Sequence, residues 1–290
     1  MLGLASLTAE SSPTGPRNLD ASEWSREMFS GARYQAVDRS ALLGTSGALS
    51  VRLRNPRCIP PVARDAAKPP PQPVELSVKV GILGSGTVGQ TLAEGFAKKG
   101  HDVMVGTGSP AKLAEWAAKV GNLQVGTYEE TAAFGELLVL AVKGSVANVV
   151  LGGITAENLS GKVLIDATNP ISDAAPEHGV LKYFTTLDSS SMEKLQRAYP
   201  WARFVKAFNS VGAARMVDPV YKEGRPTMFI CGDDPTAKDT VTQVLEQFGW
   251  EAADMGPAEA ARAIEPLCML WCIPGFIRNE WTHAFKLLHD

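Results

Sequence analysis

Residues 78–106, VKVGILGSGTVGQTLAEGFAKKGHDVMVG, give the strongest indication of the fold of this 290-residue chain. The first apolar run of this stretch predicts a strand, and the apolar residues that follow at helical spacing predict a helix. Between them the pattern G-x-G-x-x-G occurs at Gly84, Gly86 and Gly89. Alone this pattern is weak evidence and also fits an ordinary glycine turn. Between a strand and a helix, however, it indicates a loop that binds the pyrophosphate of a dinucleotide.

The three glycines have different roles in such a loop. Gly84 permits a tight turn, Gly86 lets the backbone approach a pyrophosphate, and Gly89 lets the helix pack closely on the strand. The N–H groups that open the helix have no partner within it and face the phosphate charge. The sequence therefore predicts a cofactor loop over residues 84–89.

The loop after the second predicted strand bears on the choice of cofactor. NAD-preferring sites usually carry Asp or Glu there, about 20 residues after the glycines, to hold the ribose hydroxyls. This chain instead has Gly106-Thr107-Gly108-Ser109, with Lys112 one turn further on. Because an acid would repel a 2′-phosphate, its absence beside two hydroxyls and a lysine favours NADP(H). The loop also lacks an arginine to hold the phosphate with two hydrogen bonds, so NAD(H) stays open.

From Val78 onward, strand-like and helix-like segments alternate, which predicts a mainly parallel sheet covered on both faces. The predicted strands are Val78–Leu83, Asp102–Val105, Leu123–Val125, Leu137–Val142, Val163–Asp166, Arg203–Ala207, Thr227–Cys231 and Glu251–Ala253. Helix starts are indicated at Ser109-Pro110, at the capping box Thr127-x-x-Glu130 and at Asp234-Pro235. The predicted fold class is α/β, a doubly wound sheet of the Rossmann type with a small C-terminal helical portion.

Composition divides the chain into three parts. Residues 1–75 are rich in arginine and end in KPPPQP, which predicts a disordered extension and a proline-rich linker. Residues 76–256 form the predicted NAD(P)-binding domain, and residues 257–290 a helical segment. The expected location is the cytoplasm. Organellar import is the alternative, because the extension has the arginine and serine of a transit peptide but more acid than usual.

Charge and hydropathy exclude several classes of partner. The net charge of −3 with scattered basic residues gives no basic stripe, so we expect no nucleic-acid partner. No uninterrupted apolar run reaches the roughly 18 residues that span a bilayer. The longest, Leu267–Ile277, contains Pro274 and is predicted to be a buried helix followed by a turn. Cys268 and Cys272 are expected to be core thiols, and the four histidines show no metal-ligand spacing, so no metal site is predicted.

Ligands of an open α/β sheet collect at the carboxyl ends of its strands, so the residues after each strand are candidates. Asn209 can donate and accept hydrogen bonds, which suits a nicotinamide carboxamide or the polar edge of a second ring. Asn169-Pro170 brings backbone carbonyls to the same edge. Each asparagine also fits a turn residue bonded to its own backbone. Lys143 can contact ribose or phosphate, or simply remain solvated.

Six segments together carry a family resemblance. They are GILGSGTVGQTLAEGFAKKGHDVMVGT, LLVLAVKG, VLIDATNP, VKAFNSVGA, FICGDDPTAK and GPAEAARAIEPLCMLW. Through these segments the chain resembles the coenzyme F420-dependent NADP oxidoreductases and the nucleotide domain of six-transmembrane ferric reductases. The resemblance covers about residues 78–290. The resemblance implies direct hydride transfer between NADP(H) and a small-molecule acceptor, which is a deazaflavin (F420) or a flavin (FMN or FAD). Such an enzyme places two rings face to face and needs little side-chain proton transfer.

The resemblance also assigns residues to parts of the site. The pyrophosphate loop of the family matches Gly84, Ser85, Gly86, Thr87, Val88 and Gly89, and its 2′-phosphate loop matches Thr107, Ser109 and Lys112. The nicotinamide side matches Ala141, Val142 and Lys143. The ring-binding face matches Asn169, Pro170, Phe208 and Asn209. Asn209 is expected to place the ring, and no catalytic acid or base is assigned. Glu265, Leu267 and residues 284–288 match segments near the second ligand and the dimer contact, which implies a homodimer through the C-terminal helices. The chain departs from the family at Gly108, where arginine is frequent.

Two other functions remain open at this stage. One is a reductase of imines or hydroxy acids that resembles pyrroline carboxylate reductase, although such enzymes append a long all-helical substrate domain. The other is a non-catalytic protein that binds NADPH and signals its redox state to a partner.

Overall fold

The computed structural model describes residues 77–121 and 123–289, and the predicted extension and linker lie outside these residues. Six parallel strands form one sheet in the order β3-β2-β1-β4-β5-β6. They are β1 Lys79–Leu83, β2 Asp102–Gly106, β3 Leu123–Gly126, β4 Leu137–Leu140, β5 Val163–Asp166 and β6 Arg203–Lys206. This order confirms the predicted α/β fold of the Rossmann type, since it is the order in which the two halves of a dinucleotide-binding sheet diverge from the first strand.

Eight α-helices occur in the described residues. They are α1 Thr87–Lys98, α2 Ala114–Val120, α3 Tyr128–Phe134, α4 Gly144–Gly152, α5 Ala156–Leu159, α6 Ser191–Ala198, α7 Pro235–Gln247 and α8 Ala261–Arg278. Two further strands, β7 Thr227–Ile230 and β8 Glu251–Asp254, pair in parallel as a separate small sheet. A single antiparallel bridge between Lys206 and Cys231 joins the small sheet to the edge of the large one.

The register of the large sheet brings several strand ends to one level. Leu83 is paired with Leu140, Leu140 with Asp166, and Asp166 with Lys206, and each of these is the last residue of its strand. The loops that follow β1, β4, β5 and β6 therefore start side by side at one edge. The first two of these strands flank the point where the strand order reverses, which is where ligands of such sheets bind.

Both faces of the sheet are buried. Along β4, Leu137 and Val139 pack into one apolar cluster, whereas Leu138 and Leu140 pack into the other. This explains why the strand reads as continuous apolar sequence without alternation. The strand ends two residues before its predicted end, because the chain turns there to begin α4 at Gly144.

Capping hydrogen bonds are present at two of the three predicted helix starts. Thr127 and Glu130 form both bonds of a capping box, and Asp234 accepts a hydrogen bond from the Ala237 N–H at the start of α7. Ser109 does occupy the predicted N-cap position before Pro110, but its side chain makes no capping bond. Pro110 instead opens a short 3₁₀ turn that ends at Leu113, and α2 begins only after it.

The turn predicted at Pro274 is wrong. Helix α8 runs through Pro266 and Pro274 to Arg278, and Asn279 after it adopts the left-handed conformation with φ 57°. A proline inside a helix costs about 3 kcal/mol. We attribute the tolerance to packing, because Trp271, Cys272 and other residues of this helix are buried against the rest of the protein.

The continuous helix changes one expectation from the sequence. Among the described residues, the segment Ala258–Arg278 has a mean hydropathy of 1.3 and is long enough to cross a bilayer by length and composition alone. This is weak evidence, since the core helix of a globular protein passes the same test, and 39% of the segment is buried within the protein. Leu270 and Ile277 are exposed on this helix. The homodimer through the C-terminal helices stays a prediction.

Beyond α8 the chain is extended and returns along β7. The Thr227 N–H donates to the Phe285 carbonyl at 2.8 Å, and the Leu287 N–H donates to Thr227 Oγ1 at 3.0 Å. The indole N–H of Trp271 donates to the His283 carbonyl at 2.8 Å. The last residues thus hold the small sheet and helix α8 together.

Candidate functional site

The loop Gly84–Gly89, called the glycine loop below, contains two glycines that the protein itself requires. Gly84 has φ 135°, and a Cβ added there would lie 2.3 Å from the Ala141 carbonyl oxygen. A Cβ on Gly89 would lie 2.1 Å from the Gly84 carbonyl oxygen. Any side chain at either position would therefore collide with backbone.

Gly86 is different, because nothing in the described protein requires a glycine there. Its φ of −72° suits any residue, and a Cβ added to it would meet no described atom within 4 Å. Helix α1 begins directly after it, with no side-chain capping bond and no acid in its first turn. The open space thus lies against the positive end of a 12-residue helix. This arrangement fits the pyrophosphate of a dinucleotide.

A cavity of about 750 Å³ opens beside Gly86 and extends along the ends of β4, β5 and β6. We call it the strand-end cavity. Of the residues predicted from the sequence, it is lined by Ser85, Gly86, Thr87, Val88, Ala141, Val142, Lys143, Asn169, Phe208 and Asn209. The other predicted residues, Gly84, Gly89, Thr107, Ser109, Lys112, Pro170, Glu265 and Leu267, are not part of its lining. The structure therefore brings the phosphate, nicotinamide and ring segments together and leaves the 2′-phosphate loop at the margin.

Sequence reasoning missed much of the apolar wall of this cavity. The wall includes Ile171, Val211, Met216, Cys268, Trp271 and Cys272. The last three share one face of α8, and two of them, Cys268 and Cys272, were expected to be core thiols. Their spacing is a usable signal for a helix face, but it does not say whether the face meets protein or a cavity.

Asn169 and Asn209 hold each other at the floor of the strand-end cavity. The Asn209 amide N–H₂ donates to Asn169 Oδ1 at 3.2 Å and to the Ile264 carbonyl at 2.9 Å. Asn169 Nδ2 in turn donates to the Asn209 carbonyl at 2.8 Å. These bonds fix the orientation of the Asn209 amide, since a flipped amide would set its oxygen against two acceptors.

The fixed orientation leaves one polar atom without a partner. Asn209 is only 3% exposed, and its Oδ1 has no hydrogen-bond partner in the described part of the chain. The Ser172 hydroxyl, which belongs to the same lining, is also buried and unpartnered there. Buried polar atoms normally find partners. Both atoms therefore suit a ligand that donates to Asn209 and accepts from Ser172.

The backbone before Asn209 is strained. Phe208 has φ 60°, which costs a residue with a side chain about 1–2 kcal/mol. Its ring is buried, and its N–H faces the sulfur of Met228 at 3.2 Å. The strained turn is what directs residue 209 towards the cavity after the end of β6.

The loop after β2 lies against the glycine loop. The Ser85 hydroxyl donates to Thr107 Oγ1 at 3.0 Å, and the Ser109 N–H approaches the same oxygen at 3.3 Å. Thr107 is buried, while Gly108, Ser109 and Lys112 are exposed. The loop after β2 is therefore exposed to solvent at Gly108 and Ser109, and Lys112 is the basic residue that follows.

Lys143 and Asp173 form an ion pair between two segments that line the cavity. Because the lysine has an acidic partner, it would contact a ribose or phosphate only while sharing its charge with Asp173.

Behind the two asparagines lies a buried ion cluster of Asp166, Lys206 and Glu265, which the sequence analysis did not identify. Lys206 Nζ lies 2.7 Å from Asp166 Oδ2 and 3.0 Å from Glu265 Oε1, and all three side chains are almost fully buried. Burial lowers the pKa of Lys206, but the two carboxylates outweigh it and raise the pKa above its ordinary value. Lys206 therefore remains charged inside the protein.

Comparison with known proteins gives a consistent answer. The family model for coenzyme F420-dependent NADP oxidoreductases matches residues 79–170. The F420-dependent NADP reductase of Methanothermobacter marburgensis is 32% identical over 228 residues, which cover 72% of this chain and 99% of that protein. A crystal structure from Arthrobacter sp. FB24, assigned provisionally to the F420-dependent NADP reductases, is 32% identical in sequence with a TM-score of 0.69. The match covers 73% of this chain and 100% of that one.

A third relative is much longer than this chain. Rat metalloreductase STEAP3 is 32% identical over 201 residues, which cover 68% of this chain but only 38% of that protein. The chain thus spans well under half the length of this relative, and the likeness concerns the aligned part alone. From the strand order, the glycine loop and the similarity along nearly the whole archaeal reductase, the chain belongs to the family of coenzyme F420-dependent NADP oxidoreductases, which bind NADP(H).

Proposed function

We propose that this protein transfers a hydride between NADP(H) and a deazaflavin of the F420 type, or a flavin, held together in the strand-end cavity. One observation carries the proposal: the cradle at Gly86 and the asparagine pair at Asn209 line a single continuous cavity. A dinucleotide whose pyrophosphate lies at the start of α1 can thus extend its nicotinamide towards the ends of β5 and β6.

The cavity wall supports a flat ring as the acceptor. Trp271, Met216 and Val211 supply apolar surface, and the two unpartnered oxygens of Asn209 and Ser172 supply polar contacts. The pyrimidinedione edge of a deazaflavin or flavin carries an imide N–H between two carbonyls. Asn209 Oδ1 can accept from that N–H, and the Ser172 hydroxyl can donate to a neighbouring carbonyl.

In this reaction the main role of the side chains is to hold the nicotinamide and the acceptor ring in position. The nicotinamide of NADPH supplies a hydride, the acceptor ring takes it up together with one proton from solvent, and NADP⁺ is left. The residues of this chain hold the pyrophosphate, orient the two rings and keep water from the apolar wall. Holding two reactants in reacting geometry lowers the activation barrier by about 7–11 kcal/mol in favourable cases.

No observation favours the imine reductase alternative. After β6 the described residues hold the small sheet, helices α7 and α8 and an extended end, with no long all-helical domain among them. The non-catalytic sensor differs only in lacking turnover, so kinetics decide between it and the reductase.

The decisive experiment is anaerobic stopped-flow absorbance of the protein with NADPH and, separately, F420, FMN, FAD or a cyclic imine. We expect rapid oxidation of NADPH with F420 or with one of the flavins, and none with the imine. The Gly86→Val variant serves as the negative control, because it should fail to bind NADPH. NADPH binding without turnover on any ring acceptor would overturn the proposal and favour the sensor.

A further inference from the structure

The Asp166–Lys206–Glu265 cluster is not explained by cofactor binding, since none of its members lines the strand-end cavity. Its charges come from three elements: Asp166 ends β5, Lys206 ends β6, and Glu265 lies in α8. Two carboxylates and one ammonium group therefore meet where the floor of the cavity is built.

On one side the cluster holds the residue next to Asn169. Asp166 Oδ1 accepts from the Thr168 N–H at 2.9 Å and from the Thr168 hydroxyl at 2.7 Å. Lys206 Nζ donates to the Thr168 carbonyl at 3.0 Å. All three polar groups of Thr168 are thus bound by the cluster, which fixes the backbone that enters Asn169.

On the other side the cluster holds the helix segment that binds Asn209. Glu265 directly follows Ile264, whose carbonyl accepts from the Asn209 amide. The Glu265 carboxylate accepts the N–H groups of Ser191 and Met192 at 2.9 and 3.0 Å, so it also anchors the start of α6. Asn169 therefore directly follows a residue that the cluster binds, and Asn209 is bonded to the residue that precedes Glu265.

An ion cluster of this kind is poor evidence for a gain in stability. The cost of removing charges from water can exceed their attraction, and well-packed apolar side chains often serve as well. Buried charged networks with every partner satisfied do, however, favour one arrangement of the groups they bind. The three residues have their partners in place here, and the groups they bind are those that carry the asparagine pair.

We propose that Asp166, Lys206 and Glu265 are positioning residues for hydride transfer, which fix the Asn169–Asn209 pair in the geometry that orients the ring. This inference rests on the proposed function. It assigns the cluster no contact with the ligand and no proton transfer. Its effect should therefore be on the rate of the chemical step and not on the affinity for NADPH, whose pyrophosphate cradle lies elsewhere.

The test compares Glu265→Gln with Glu193→Gln as a matched control. Glu193 also links the start of α6 to α8, through Ser190 and through Arg262 at 2.6 and 3.0 Å, but among the described residues its ion pairs are with Arg197 and Arg262, and not with Lys206. Both variants should lower the melting temperature. Only Glu265→Gln should slow single-turnover hydride transfer to F420 or flavin, by about tenfold to a hundredfold, with the NADPH Kd unchanged.

Two further measurements separate positioning from a general loss of structure. Lys206→Met should show the same division between rate and Kd where it folds, and NADPH deuterated at C4 should give a larger isotope effect in Glu265→Gln than in the parent. An equal loss of rate in Glu193→Gln, or a parallel loss of NADPH affinity in Glu265→Gln, would overturn the inference. If the parent reduces no acceptor, the proposed function fails first. If the parent reduces one and Glu265→Gln keeps its rate, only the positioning role is lost.

Discussion

Ser85 Oγ lies 3.0 Å from Thr107 Oγ1, so a single hydroxyl contact joins the glycine loop to the loop after β2. The two loops meet where the pyrophosphate and the adenosine ribose of a dinucleotide would be adjacent. Thr107 is buried, and its oxygen is used within the protein, which leaves its hydroxyl proton available as a donor. We therefore expect a 2′-phosphate to meet mainly the exposed residues Gly108, Ser109 and Lys112.

Replacing Gly108 with arginine should strengthen NADPH binding. A Cβ at Gly108 would have no described neighbour within 4 Å, so the side chain has room at the rim. An exposed guanidinium paired with a phosphate should increase the affinity about three- to tenfold. Titration calorimetry with NADPH and NADH measures the effect, and Gly108→Gln is the uncharged control. An equal gain for both nucleotides would show that the arginine does not contact the 2′-phosphate.

Replacing Gly86 with valine should abolish NADPH binding and leave the fold intact. The added side chain finds space in the protein but occupies the place of the pyrophosphate. Gly89→Val should behave differently and lose the fold, because its Cβ would collide with the Gly84 carbonyl. Thermal unfolding and calorimetry distinguish the two variants. If the Gly86→Val protein binds NADPH normally, the pyrophosphate does not bind at this loop.

Much of this site could be predicted because its signals are local. The glycine loop depends on a strand, three glycines and a helix within one stretch of sequence, and the residues after β4, β5 and β6 follow from strand ends. The turn expected at Pro274 was wrong for the same reason: a local rule for proline does not include the packing that keeps α8 continuous. Tertiary contacts offset the local cost there.

The Asp166–Lys206–Glu265 cluster could not be predicted from local sequence patterns. Lys206 stands two residues after Phe204 in β6, so the alternation of the strand already places both on one buried face. A lysine at an inward position was thus a usable signal of a buried partner. Nothing in the sequence, however, names Glu265 as that partner, because the two meet only through the packing of α8 on the sheet.

The ion pair between Glu193 and Arg262 should make stability depend on acid pH. Hydrogen bonds from Arg262, together with those of Ser190, lower the pKa of Glu193 from 4.5 to about 2. Because the folded pKa is below the unfolded one, the stabilisation is complete above pH 4.5 and is lost as the pH falls towards 2. We expect a contribution on the order of 2 kcal/mol at neutral pH, reduced by the exposure of Arg262.

Chemical denaturation of the parent and of Glu193→Gln at a series of pH values checks this expectation. The difference in unfolding free energy between them should be largest above pH 4.5 and should shrink between pH 4.5 and 2. A difference that does not change with pH would mean that the carboxylate charge contributes nothing and that the loss comes from packing.

Replacing Asn209 with alanine should lower turnover more than it weakens NADPH binding. The substitution removes the unpartnered Oδ1 and the two bonds that tie Asn209 to Asn169 and Ile264, while the cradle at Gly86 is untouched. We expect the rate of hydride transfer to fall about tenfold to a hundredfold and the NADPH Kd to change by less than about threefold. Stopped-flow kinetics and calorimetry give the two values. Asn209→Asp is a near-isosteric comparison: it keeps an acceptor at Oδ1, but its second oxygen would face Asn169 Oδ1 and the Ile264 carbonyl, so it should lose about as much rate as Asn209→Ala. Equal losses of rate and affinity in Asn209→Ala would move this residue from ring placement to a structural role.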